Sequence, residues 1–155
     1  MKNLQFFYYQ ITDDKWRPEI RESTTLTSIG NVFFSISFQK LYVFGGIGNK
    51  IFNSVCELNL SDWKWRKNTD SNCHIEGRFG HSANKHRNSI IIFGGEKQFN
   101  YHMKIRSCFN EFLQYNIEER DFTLLRPYGD LIESRRNHSS GIVSKFLFIF
   151  GGVNN

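Results

Sequence analysis

LYVFGG at Leu41 to Gly46, IIIFGG at Ile90 to Gly95 and LFIFGG at Leu147 to Gly152 are three versions of one phrase, and their recurrence decides the fold. Each is an apolar run of strand length that ends on Phe-Gly-Gly. The three phenylalanines, Phe44, Phe93 and Phe150, are 49 and 57 residues apart. A period of that size marks one supersecondary unit used repeatedly, each copy burying its face against its neighbours.

Working outward from Phe93, Arg78 and His81 stand 15 and 12 residues upstream in RFGHS; Arg135 and His138 hold the same offsets before Phe150 in RRNHS. Downstream of Gly46 come Asn53 and Ser54, the alternating run VCELNL, then Trp63 and Trp65. Downstream of Gly95 come Asn110 and Glu111, FLQYNI and Phe122. The β-branched run Ile90 to Ile92 closed by glycines fits a strand covered on both faces better than a helix. Glu57, Asn59 and Ser61 alternate with Cys56, Leu58 and Leu60, which reads as a strand half open to water. Gly45, Gly46, Gly94, Gly95, Gly151 and Gly152 supply positive φ or close backbone approach at the strand ends.

This order of Arg-x-x-His, apolar strand, Gly-Gly, polar pair and aromatic resembles the kelch repeat family, over nearly the whole chain. The resemblance implies an all-β fold of kelch-type β-propeller blades, each a four-stranded antiparallel sheet set around a channel. Naming the strands of a blade A to D outward, Leu4 to Gln10 matches strand C, Asp14 to Pro18 strand D, Thr25 to Ser37 strand A and Leu41 to Phe44 strand B. One kelch-repeat region over 1–155 then divides into an outer half blade (1–23), two full blades (24–70 and 71–127) and an inner half blade (128–155). Such an incomplete propeller leaves strand edges open. A homodimer sharing a blade, or a larger assembly, is the expected way of completing it.

The aromatics Trp63, Trp65 and Phe122 are expected to fill the wedge between blades. Arg78, His81, Arg135 and His138 are expected to satisfy backbone carbonyls between blades. At the offsets of that pair the first unit has Ile29 and Val32, so its polar contact is expected to be missing.

Composition narrows the class. A chain of 155 residues with 16% aromatics can hold a real core. There is no apolar stretch near the ~20 residues that cross a membrane, and MKNLQFFYYQ lacks the pattern of a secretion signal. Cys56, Cys73 and Cys108 are odd in number and unpatterned, which points to reduced thiols. Cys73 beside His74 has no second ligand pair at finger spacing, so no metal or other cofactor is expected. The net charge of +5 is spread thinly, with no nucleic-acid footprint. A cytoplasmic, cytoskeleton-associated setting is the expectation.

Function must then sit in the loops. Fourteen residues, EKQFNYHMKIRSCF, separate Gly95 from Asn110, far more than the same connection of the preceding unit. They carry Lys97, Phe99, Tyr101, His102, Met103, Lys104 and Arg106. The connection RPYGDLIESRRN adds Arg126, Tyr128 and Arg136. Together these make a basic, aromatic set suited to a protein partner with an acidic segment and an apolar anchor. The expected function is a non-catalytic interaction or scaffold subunit; the family resemblance also implies a rival, a copper-radical oxidase or sugar isomerase, and for the oxidase's ligand set Tyr101, Tyr115, His102 and Cys108 are the candidate residues. No nucleophile–base pair or phosphate loop orders them.

Overall fold

The computed structural model describes residues 16–29, 40–68 and 74–154. Among them there is no helix, and so none long and apolar enough to cross a membrane. Among the described residues ten strands form three antiparallel sheets. The first joins β1 (Thr25–Ile29), β2 (Lys40–Phe44), β3 (Val55–Asn59) and β4 (Lys64–Lys67) in sequence order. A second meander joins β5 (Ser82–His86), β6 (Ser89–Phe93), β7 (Phe112–Asn116) and β8 (Asp121–Leu125). The third is the hairpin of β9 (Ser139–Val143) and β10 (Phe146–Phe150). These are propeller blades, two of them four-stranded, as the Phe-Gly-Gly period predicts.

Local chemistry sets the turns. At the end of β3, Asn59 Oδ1 accepts the Ser61 amide at 2.9 Å; 57 residues on, at the end of β7, Asn116 Oδ1 accepts the Glu118 amide at 3.0 Å. An asparagine closing the turn on its own backbone is what that residue does best. Trp63 belongs to the turn before β4, with φ at 55°, rather than to the outer strand itself. Of the segments assigned to the outer half blade, Leu4 to Gln10 lies outside the described residues, and Trp16 to Pro18 carry no strand. Of the stretch Thr25 to Ser37, β1 is strand, and residues 30–37 lie outside the described residues.

The sheets stack face to face, and the core sits in the wedge between the first two. Tyr42, Phe44 and Val55 of the first blade meet Ile90, Ile92, Leu113 and Tyr115 of the second. Phe122 closes this wedge, its ring 5.4 Å from Phe44 and 4.9 Å from Tyr115. Trp65, its counterpart on β4, is half-buried. Burying such side chains stabilises by roughly 1.5–3 kcal/mol each.

Glu57 corrects the reading of its strand as half exposed. It is buried, because its face of β3, shared with Tyr42 and Val55, lies against the second blade. Its carboxylate accepts from Tyr42 Oη (2.9 Å) and Asn68 Nδ2 (2.8 Å) and pairs with Lys40 Nζ (2.8 Å). These partners hold it below the usual carboxylate range, although burial opposes them.

Candidate functional site

The inner strands set the spacing of everything else. His81 Nε2 lies 3.0 Å from Thr25 Oγ1, and His138 Nε2 lies 2.8 Å from Ser82 Oγ. Each histidine thus meets a hydroxyl of the preceding blade, where a carbonyl was expected. Each ring also stands edge-on to the preceding blade's phenylalanine, His81 to Phe44 at 5.0 Å and His138 to Phe93 at 5.2 Å. Burial and the neighbouring Arg78 cation push His81 down to about 3; burial likewise lowers His138. Both are therefore neutral in the fold at physiological pH.

Each arginine caps its own blade. Arg78, wholly buried, donates from Nη1 to Gly94 O (3.3 Å) and from Nη2 to Glu111 (2.5 Å), with its guanidinium 3.7 Å over the Phe109 ring. Arg135 repeats this with Gly151 O at 2.9 Å. The first unit has the same device, contrary to the expectation from Ile29 and Val32: Arg21 donates to Gly45 O at 3.1 Å and lies 3.8 Å over Phe52. The fixed offset failed because the connection from β1 to β2 is longer than its counterparts, which moves the arginine eight residues upstream. Counted blade to blade, Arg21, Arg78 and Arg135 are evenly 57 apart.

The amides of the second glycines stitch blade to blade. Gly46 N donates to Arg78 O, and Gly95 N to Arg135 O, both at 2.9 Å. A Cβ on Gly45 would stand 2.5 Å from Arg78 O, and one on Gly94 2.5 Å from Arg135 O. With φ at 63° and 68°, glycine is required there twice over.

Strand register puts both predicted binding loops at one end of the second blade, since Leu125, Phe112, Phe93 and Ser82 are aligned across it. The long connection after Gly95 folds into a small hairpin, with bridges between Glu96 and Cys108 and between Asn100 and Ile105. Asn100 Oδ1 caps its tip by accepting the His102 and Met103 amides, each at 3.0 Å. Tyr101, His102, Met103 and Lys104 are exposed at that tip. Phe99 and Tyr101 pack edge to face at 4.9 Å, and Lys97 lies 4.5 Å over Phe109.

Glu96 anchors this hairpin, and sequence reasoning missed it. It is 1% exposed; Arg106 Nη1 binds Oε1 at 2.7 Å, and Arg136 Nε stands 2.9 Å from Oε2 as an ion pair off the hydrogen-bond axis. The signal was present in the residue after each Gly-Gly, which is Ile47, Glu96 and Val153.

Between the hairpin and the shorter loop 47–51 of the first blade runs a cleft of about 250 Å³. Lys97, Phe99, Tyr101 and Arg106 line it, joined by Lys50, Ile51 and Phe79, which sequence reasoning did not single out. Among the lining residues three cations face one carboxylate, the neutralised Glu96. Arg126 lines a different cavity, about 360 Å³, between the second blade and the β9–β10 hairpin. Tyr128 is fully exposed. Of the four residues considered for catalysis, Tyr115 is sealed in the wedge between blades while Tyr101 is 75% exposed at the hairpin tip, so they do not form one site.

A family model described as the KLHDC2/KLHL20/DRC7 Kelch-repeats domain matches residues 2–155. The chain is 22% identical over 77% of its length to a leucine-zipper-like transcriptional regulator 1 homolog of Drosophila melanogaster, covering 12% of that protein. It is 28% identical over 73% of its length to the Rho GTPase-activating protein gacHH of Dictyostelium discoideum, covering 8% of it. A probable serine/threonine-protein kinase of Dictyostelium discoideum is 26% identical over 99% of this chain, which covers 11% of that relative. The chain thus spans about a tenth of the curated relatives it matches. With three Phe-Gly-Gly phrases in step, stacked antiparallel blades and a family match over nearly its full length, the chain belongs to the kelch-repeat family.

Proposed function

We propose that this chain is a non-catalytic interaction module of a scaffold, and that the cleft between loop 47–51 and the 96–108 hairpin receives a protein partner's acidic segment with one apolar side chain as anchor. Kelch domains in general bind protein partners. The observation that carries the finer reading is the cleft's lining: Lys97 over the Phe109 ring and Lys50, held only loosely by Glu19 at 3.7 Å, around Ile51, Phe79, Phe99 and Tyr101, with Arg106 paired to the one lining carboxylate, Glu96. Cations over an aromatic floor favour carboxylates at the rim and a ring or aliphatic chain at the centre. The matched relatives bear names for three different activities, and this stretch is about a tenth of each. That sharing fits a part that recruits rather than reacts. The free thiols of Cys56 and Cys108 fit a reducing, cytoplasmic setting.

Selection from a random peptide library displayed on phage tests this reading. Sequences rich in Asp and Glu around a Phe, Leu or Trp are the expected recoveries, and loss of enrichment with Lys50→Glu plus Lys97→Glu bait is the expected control. Recovery of neutral or basic sequences, equally well by both baits, would overturn it.

A further inference from the structure

The first arm of the 96–108 hairpin runs along the cleft with one edge open. Glu96, Lys97, Gln98 and Phe99 follow one another in the chain, and all four line the cleft. On one side this arm is bonded to the returning arm: Lys97 N donates to Ser107 O at 2.9 Å, and Asn100 and Ile105 exchange amide-to-carbonyl bonds at 3.1 and 3.3 Å. On the other side Glu96 N donates to Phe79 O at 2.8 Å, and Phe79 N donates to Glu96 O at 3.4 Å. That bridge is isolated, and the arm runs on past it. Between the pairs Lys97–Ser107 and Asn100–Ile105, two residues, Gln98 and Phe99, stand against the single Arg106, which makes a bulge. Neither has a backbone-to-backbone hydrogen bond among the described residues, and Gln98 is exposed. Bonding directions alternate along a strand, so the Gln98 amide and carbonyl share the direction of those of Glu96, away from the returning arm.

We propose that the partner's acidic segment binds extended, as a strand added to this edge where Phe79 leaves off, with the Gln98 amide donating to it and the Gln98 carbonyl accepting from it. The inference rests on the reading of the cleft as a peptide site and adds the conformation of what enters. The bare groups on the edge belong to the main chain. An extended segment satisfies them, whereas a helix has already spent its own amides and carbonyls. The edge is also guarded, because a bulge and a lysine, Lys97, oppose indiscriminate strand pairing. An acidic strand reverses that charge penalty: its carboxylates stand beside Lys97 and, across the cleft, Lys50 while its backbone pairs. Side chains of an added strand alternate between two faces, so specificity rests on every second residue of the partner.

A backbone N-methyl scan tests it, with a labelled peptide of Asp and Glu around one central Phe as the probe and fluorescence anisotropy with the full chain as the readout. Each methyl group removes one amide donor and leaves every side chain in place. The expected scan has a period of two: methylation of the residue paired with Gln98 weakens binding by about tenfold or more, and methylation of either neighbour by less than about threefold. Hydrogen exchange at the Gln98 amide slows by about tenfold or more on saturation with the unmethylated peptide. Equal losses at adjacent positions, or a Gln98 amide that exchanges at its free rate in the saturated complex, would overturn the added strand and leave the cleft a peptide site. An unmethylated peptide that does not bind at all would sink both readings together.

Discussion

His138 Nε2 and Ser82 Oγ are 2.8 Å apart across the boundary between two blades, 56 residues apart in the chain, and His81 with Thr25 repeats the pair at 3.0 Å with the same separation. One histidine per junction therefore ties each inner strand to the next. It does so as a neutral ring, buried beside an arginine.

That burial makes stability fall with acid. His81 ionises near 3 in the fold and near 6.5 when unfolded, so below pH 6.5 the unfolded chain binds the extra proton. Its contribution is complete above the unfolded value and is lost as pH drops toward 3. At pH 5 the loss is about 2 kcal/mol for this one group. Urea unfolding at pH 7.5 and 5.0 should show it, and His81→Gln should shrink the difference to the share that the lowered His138 contributes in the same window. Equal sensitivity in the variant would assign the effect elsewhere; Glu57, held low, contributes only at more acid pH.

Removing the Glu57 carboxylate strands its partners. Glu57→Ala leaves the Tyr42 hydroxyl and the Asn68 amide without their common acceptor in a buried place, and the part-exposed Lys40 without its ion partner. The expected cost is about 3 kcal/mol in chemical denaturation. Glu57→Gln, keeping shape and an acceptor oxygen, should cost clearly less.

Two glycines of positive φ should differ sharply in tolerance. Gly94→Ala meets the Arg135 carbonyl as well as an unfavourable φ, and should lose about 3 kcal/mol. Gly129→Ala has a positive φ of 104° but open space, and should lose about 1 kcal/mol. Thermal melts of the two variants decide it.

Glu96 should govern the order of the binding hairpin. With Glu96→Ala, Arg106 and Arg136 lose their shared carboxylate, and hydrogen exchange of the 97–106 amides should quicken at least tenfold while β6 and β7 stay protected. Unchanged exchange would mean that the bridges of the hairpin suffice alone.

The blades were legible because Phe-Gly-Gly marks a backbone event, a positive φ under a neighbouring carbonyl, that only glycine permits. What the sequence hid were relations across space. Glu57 reads as a surface residue until a second sheet covers it. Arg21 escaped because an offset counted through a hairpin of variable length cannot locate it, whereas the blade-to-blade step can. Half of the cleft was visible as an outgrown loop; Lys50, Ile51 and Phe79 join it only because the preceding blade stacks alongside. Arg106 and Arg136, read as free cations, are bound to Glu96, and no linear pattern announces a carboxylate shared by two blades.

The claim that the cleft recognises an acidic segment is tested most directly by fluorescence anisotropy with a labelled twelve-residue peptide of Asp and Glu carrying one central Phe. Saturable binding is predicted, weakening at least tenfold from 50 to 300 mM salt and by a similar factor in Lys50→Glu plus Lys97→Glu. Binding that matches a peptide with Lys in place of the acids, or that ignores both lysines, would contradict the account.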